Sequence, residues 1–564
     1  MKFQDYKYTR PNLEQIGKDM EMLLEKFRES ESFEEQNKLM EEINKIRSNV
    51  DTMGNLVYIR HSINTEDEFY AKEQDFLDEN MPIYQNIEFK FYKELVDSKF
   101  RNELEKVWGK QLFTLAELRL KTFSEEIIED LIKENKLVTE YDKLIASAKI
   151  EFEGGIRNLS QMAPFMQSKD RNVRKAAYEK YIEFFKENEK EFDRIYDDLV
   201  HTRDKMAKKL GYKNYVEMGY DRMARSDYNK DMVANYRKQV YEDLVPIVVE
   251  LKDRQRKRLG LEEMKYYDEP LEYLTGNATP KGEPEWIINN GKKMYSELSK
   301  ETDEFFTFMV EKELLDLVSK KGKMSGGYCT FISDYKSPFI FSNFNGTSGD
   351  VDVLTHEAGH AFQAYMSRDL GVPEYSFPTY EAAEIHSMSM EFITWPWMEL
   401  FFEDEVEKYK FSHLAGAVNF IPYGVTVDEF QHFVFLNPQA TPDERKAKWR
   451  EIEKKYLPFR DYEDNDFLNR GGYWFRQGHI FSTPFYYIDY TLAQVCAFQF
   501  WIKVREDREK AWEDYLRLCK AGGSKSFLEL VELAELKNPF EDGTIKEVIE
   551  PIKEWLESVD DSKF

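Results

Sequence analysis

For most of its 564 residues the chain repeats one pattern: apolar positions at helical spacing, with charged residues between them. Pro11 opens the first such segment, and Ile16, Met20, Leu23 and Phe27 fall on one face. Ser32 with Glu35 reads as a capping box ahead of Leu39, Ile43 and Ile46. A later charged helix carries Tyr178, Tyr181, Phe185, Phe192 and Tyr196, and Gly211 closes that stretch. The short run from Lys149 to Gly155 alternates and then turns, as a strand does. Such stripes bury a core rather than carry chemistry, so residues 1–200 are expected to form an N-terminal helical region and 201–564 a second one. Within the second, the runs 326–332 and 339–344 read as strands between Gly and Pro punctuation. His61 and His201 stand alone and are assigned structural roles.

A helix is expected at about 348–370. Thr347-Ser348-Gly349-Asp350 has the form of a capping box, Val351, Leu354, Thr355, Ala358, Ala361, Phe362 and Tyr365 make an apolar stripe, and Gly371 and Pro373 supply a stop. This helix holds His356-Glu357-Ala358-Gly359-His360. Residues four apart share a helix face, so His356 and His360 project together and can grip one divalent ion. Glu357 lies beside them, where a carboxylate can take a proton from water.

A hydrolytic zinc site needs a third protein ligand and an open position. A second helix should start near Pro378 and Thr379 and end or kink at Pro396. It carries Glu384 and Glu391 two turns apart on one face. A carboxylate from this helix could complete the site, with Glu384 as a candidate third ligand and Glu381 and His386 as its local competitors. Glu391 suits the task of holding a ligand histidine by its other ring nitrogen.

These residues carry a resemblance. The runs 356–360 and 384–391, the preceding Ser337–Thr347 and the later His479–Tyr490 are similar to the thimet oligopeptidase and oligoendopeptidase F family of zinc metallopeptidases, close to its bacterial Pz-peptidase branch. The likeness is sharp over roughly 325–500 and looser over the helical remainder. It implies a mainly α fold, with two helical lobes around a deep substrate channel and a small β-sheet beside the zinc site. The 1–200 lobe would then be a channel wall, regulating access. The resemblance also implies one Zn²⁺ per chain on His356, His360 and Glu384, with Glu357 as general base. The sheet would lend an open edge to extended peptides, with Asn343, Asn345 and Gly346 as positions to watch. His479, Tyr486 and Tyr490 would steady the oxyanion, with Tyr487 beside them. On local pattern, Thr483 would cap the helix bearing these tyrosines, with Pro484 in its first turn and His479 on the loop ahead.

Composition narrows the setting. A formal net charge of −27 argues against a nucleic-acid or anionic-membrane partner, since both would want a basic face. Cys329, Cys496 and Cys519 are few, odd in number and far apart, so no disulfide framework is expected and a cytoplasmic setting fits. No apolar run approaches a membrane span, and the first residues show no apolar targeting segment. The expectation is an intracellular oligoendopeptidase acting on short peptides, its oligomeric state open. Two other readings share the motif. A helical zinc carboxypeptidase would need a cation for the substrate's terminal carboxylate, for which Arg470 and Arg476 are available. A non-catalytic peptide-binding scaffold would need a missing ligand or base.

Overall fold

The computed structural model describes residues 1–564. The chain is mainly α-helical, with a hairpin and one three-stranded sheet. The hairpin pairs β1 (Ile150–Phe152) with β2 (Gly155–Arg157). Glu153 and Gly154 turn it at φ 47° and 73°, the left-handed pair that a tight two-residue turn requires. In the sheet, β3 (Leu315–Val318) runs parallel and β4 (Tyr328–Ile332) antiparallel to the central β5 (Ser337–Phe344). Seven of the eight β5 residues are buried, which explains its unbroken apolar reading. β4 therefore has one side without a strand partner.

Five helices position the site: α1 (Lys110–Thr122), α2 (Gly349–Met366), α3 (Tyr380–Ile393), α4 (Val406–Leu436) and α5 (Tyr487–Glu506). α2 follows directly from β5, but its start is not the expected box. Ser348 is the N-cap without a side-chain bond, and the Thr347 hydroxyl donates to Asn345 Oδ1 at 2.8 Å. Asp350 instead reaches backward, accepting from the backbone N–H groups of Asn345 and Gly346 at 2.8 Å each. Gly346, at φ 87°, bends the chain so that these donors face it. The helix also stops at Met366, four residues short of the expected end.

α3 begins after Thr379, as expected, and is buried on all faces from Glu381 to Met390. An all-round buried helix lies at the centre of a fold. Its approach to α2 is set by Gly359. A Cβ there would meet His386 O and the Ser387 Cα at 2.6 Å each, so the two helices touch backbone to backbone.

The helix bearing the tyrosines starts at Tyr487, not at Thr483. Phe485 takes a left-handed φ of 68° and breaks the path. Arg225 holds that break by donating to Phe485 O at 2.6 Å and to Asp489 Oδ1 at 2.7 Å. Arg225 and Asp489 have fully buried side chains, so each leaves the other's charge compensated. His479 sits on a short helix of its own, Gly478–Ser482, rather than on a loop.

The N-terminal helices bury a separate small core that includes Leu24, Phe91 and Leu112 and extends to Val372 and Tyr375. The Tyr375 hydroxyl donates to Trp108 O at 2.8 Å and accepts from Leu112 N at 2.9 Å. Arg47 pairs with Glu374 in the same turn. The segment leading into α3 is thus anchored in the N-terminal helices. No helix is long and apolar enough to cross a membrane, and the three cysteines are free.

Candidate metal centre and active-site cavity

His356 and His360 lie one turn apart on α2, and Glu384 faces them from α3. Glu384 Oε2 is 3.2 Å from His356 Nε2 and 3.3 Å from His360 Nε2. One ligand atom from each of the three lies within 4.8 Å of the others. Two neutral imidazoles and one carboxylate are the donor set of a hydrolytic zinc site. Burial pushes the Glu384 carboxyl up, but the adjacent His360 and His356 hold it well below the usual carboxylate range. The local competitors are turned elsewhere. Glu381 is buried near Arg225, its carboxyl pushed up to about 7 by burial, and the His386 ring lies against Tyr515.

Glu384 is held from two more sides. Ser387 Oγ donates to Oε2 at 2.9 Å, and the Tyr486 hydroxyl donates to Oε1 at 2.5 Å. Tyr486 and Tyr490, grouped in the sequence as one oxyanion cluster, are thereby separated: Tyr486 holds the Glu384 carboxylate. Tyr490 is bonded to His479, with 3.0 Å between its hydroxyl and Nε2. Glu357 is buried, and its Oε2 has no partner in the protein. Burial raises its carboxyl above the ordinary value, while His356 and His360 pull it down.

All of these groups except Ser387 open on one cavity of about 720 Å³. Its wall includes 327–330, so the unpaired side of β4 borders the metal centre. Gly327 permits this approach: a Cβ there would stand 3.1 Å from Val353 Cγ1 and 3.4 Å from Glu357 Oε1. The watched positions on β5 and its exit are not on this wall. Asn343 Nδ2 donates to Met324 O and Gly326 O at 2.8 Å each, holding the turn before β4. Asn345 and Gly346 serve the start of α2, as described. β5 is the middle strand, so its backbone is already paired, and the available edge belongs to β4. Tyr487 borders a second cavity of about 510 Å³ behind His479 and Tyr490. Arg470 and Arg476 are outside the catalytic cavity too: Arg470 pairs with Glu189 and Asp466, and Arg476 donates to the Tyr473 hydroxyl at 2.9 Å.

Residues 164–549 match the sequence profile of peptidase family M3, and residues 3–123 match the peptidase M3 N-terminal domain. The chain belongs to peptidase family M3. An oligoendopeptidase F homolog from Borreliella burgdorferi is 25% identical over 383 residues, covering 65% of this chain and 62% of that protein. A Lactococcus lactis subsp. lactis oligoendopeptidase F homolog is 24% identical over 392 residues, covering 65% and 61%. The aligned part thus spans less than two thirds of either relative. The solved structure of Pz peptidase A with an inhibitor is 59% identical, covers 100% of both chains and superposes with a TM-score of 0.99.

Two chains of contacts in this M3 peptidase escaped the sequence reading. The Trp395 indole donates to His413 Nδ1 at 3.0 Å. His413 therefore carries its proton on Nε2 and donates it to Glu391 Oε2 at 2.7 Å. Glu391 Oε1 faces His356 Nδ1 at 2.7 Å, leaving the other ring nitrogen of His356 for the metal side. Glu391 was legible as a neighbour of His356, but His413 lies on α4, and no local spacing ties it to the motif. The second chain fixes His479. The Tyr423 hydroxyl donates to Gln477 Oε1 at 3.0 Å, which turns the Gln477 amide N–H toward His479 Nδ1 at 2.8 Å. His479 then bears its proton on Nε2, facing the Tyr490 oxygen. Burial lowers its pKa to about 4, which keeps the ring neutral near pH 7.

Replacing His413 with alanine is expected to weaken zinc binding about 10- to 100-fold, the usual cost of losing such an outer partner. Titration of the metal-free protein with zinc against a chromophoric chelator measures this directly. Unchanged affinity would mean that Glu391 orients His356 without help.

Proposed function

We propose that the protein is a cytoplasmic, zinc-dependent oligoendopeptidase that hydrolyses internal bonds of short peptides. The observation that carries this is the convergence of His356, His360 and Glu384 beside a partnerless Glu357 carboxylate oxygen, on a cavity bordered by an open strand edge. His356, His360 and Glu384 would hold the ion, which would supply a Lewis acid that polarises the peptide carbonyl and acidifies water. Glu357 takes the proton of the attacking water as general base and returns it to the leaving amine. Tyr490, receiving a hydrogen bond from His479, has its own O–H free to donate to the oxyanion. Tyr486 keeps Glu384 in its ligand orientation. The β4 edge pairs with the peptide main chain, which tolerates many side chains.

The same reading divides the chain near residue 200 into an N-terminal lobe and a catalytic region. Cavity residues from α1 on one wall and from α2 and α3 on the other support a channel between them. Free cysteines support a reducing compartment. Product analysis by mass spectrometry on peptides of graded length, with and without chelator, tests the proposal. Internal cuts lost with chelator and restored by zinc are expected. Release of single C-terminal residues would replace the proposal with a carboxypeptidase, and binding without cutting would replace it with a scaffold.

A further inference from the structure

The catalytic cavity contains one arginine that nothing in the protein neutralises. Two arginines line it, Arg119 from α1 and Arg222. Arg222 is tied to Glu134 at 2.9 Å and to the Tyr215 hydroxyl at 3.0 Å. Glu134 is also shared with Arg203. Arg119 is exposed, and its guanidinium makes no hydrogen bond or ion pair within the protein. The acidic groups on the same wall are otherwise engaged: Glu374 with Arg47 and Tyr92, and Asp221 with the Tyr212 hydroxyl.

Tyr380, the first residue of α3, lines the same cavity as the two arginines. It is 45% exposed, and its hydroxyl has no partner. Burial raises the pKa of that hydroxyl, the charge of Arg119 pulls it down, Asp489 pushes it up and Arg222 pulls it down. Its ring lies 4.4 Å from the ring of Tyr486, whose hydroxyl holds Glu384. An unpaired guanidinium and a free phenol O–H thus face one cavity, one aromatic layer from the residue that orients the third metal ligand. In a chain of net charge −27, a cation left free at that place is fitted to an anion that arrives from outside.

We propose that Arg119, with the Tyr380 hydroxyl, binds a carboxylate of the peptide substrate. Every unblocked peptide brings one at its C-terminus, and an acidic side chain is the other source. The inference rests on the oligopeptidase reading and adds a selection to it: peptides whose terminus reaches Arg119 while an internal bond lies at the metal centre are preferred. This gives the enzyme a preference for short chains that the sequence-tolerant strand edge does not provide.

The test uses the zinc-loaded full chain and one short, internally quenched peptide in three forms: free acid, C-terminal amide, and amide with glutamate as the last residue. The free acid is expected to exceed the amide about 10- to 100-fold in kcat/KM, mainly through KM, as one charged hydrogen-bonded contact implies. In Arg119→Gln the acid-to-amide ratio falls to near one, and Arg119→Lys retains part of it. The ratio is read within a single preparation, so the active fraction cancels. If the glutamate amide regains the advantage, any carboxylate is accepted; if it behaves as the plain amide, the terminus alone is read. Equal cutting of acid and amide by the unsubstituted protein, or a preference that survives Arg119→Gln, overturns the inference. Failure to cut any of the three overturns the oligopeptidase reading instead.

Discussion

Replacing Glu357 with glutamine is expected to lower kcat by about 10²–10⁴-fold while leaving zinc bound. Glutamine keeps the shape and polarity of the side chain but cannot accept the proton. Glu357 is not among the three residues whose ligand atoms converge, so metal content should not change. Its Oε2 is buried and unpartnered, so the change breaks no hydrogen bond that supports the fold. Steady-state kinetics together with metal analysis of the same sample decide the matter. Activity within tenfold of the parent would mean that another group takes the proton, and the role given to Glu357 would be withdrawn.

Gly359→Ala is the second change with a large expected effect, although Gly359 touches no substrate. One added methyl would stand 2.6 Å from both His386 O and the Ser387 Cα. Backbone atoms have no rotamer by which to give way, so α2 and α3 must move apart. Overpacking of this kind costs about 1–3 kcal/mol of stability. The larger consequence falls on the site, because the helices that separate carry His356 and His360 on one side and Glu384 on the other. A displacement of about 1 Å can lower turnover about 10²-fold, and zinc affinity should fall with it. Gly54→Ala is the control: Gly54 lies inside a helix, and a Cβ there meets nothing within 4 Å. It is expected to stabilise the protein by about 0.5–1 kcal/mol. Thermal unfolding, zinc titration and kcat/KM on the three proteins separate the two effects. Full zinc affinity and activity in Gly359→Ala would show that this contact does not set the position of Glu384.

Sequence-local rules located the parts whose geometry is local. Four-residue spacing puts His356 and His360 on one face of α2 whatever surrounds them. Seven-residue spacing does the same for Glu384 and Glu391 on α3. Helix boundaries were legible where Thr379 and Pro378 mark a start, and wrong where distant contacts intervene. Thr347 was read as a cap because it precedes Asp350 by three residues. In the fold Gly346 turns the backbone so that Asp350 caps the loop instead. Thr483 lost its expected helix to Arg225, a residue far away in sequence that holds Phe485 in a left-handed turn. The open edge was expected near β5 and belongs to β4, because strand order is a tertiary property.

By itself, then, the sequence determined that this chain is mainly helical, that it presents two histidines and a glutamate on one helix, and that a second helix brings a carboxylate. Periodicity and capping depend on neighbours within a turn or two, and those neighbours are written consecutively. The tertiary structure alone decided which carboxylate meets the histidines, which tyrosine bonds Glu384 and which cation stands free. Those outcomes depend on helix crossings such as Gly359 against His386, and on partners such as His413 for Glu391 and Tyr423 for Gln477 that lie far along the chain from the groups they serve. Contact across such separations is set by packing, which no local spacing encodes.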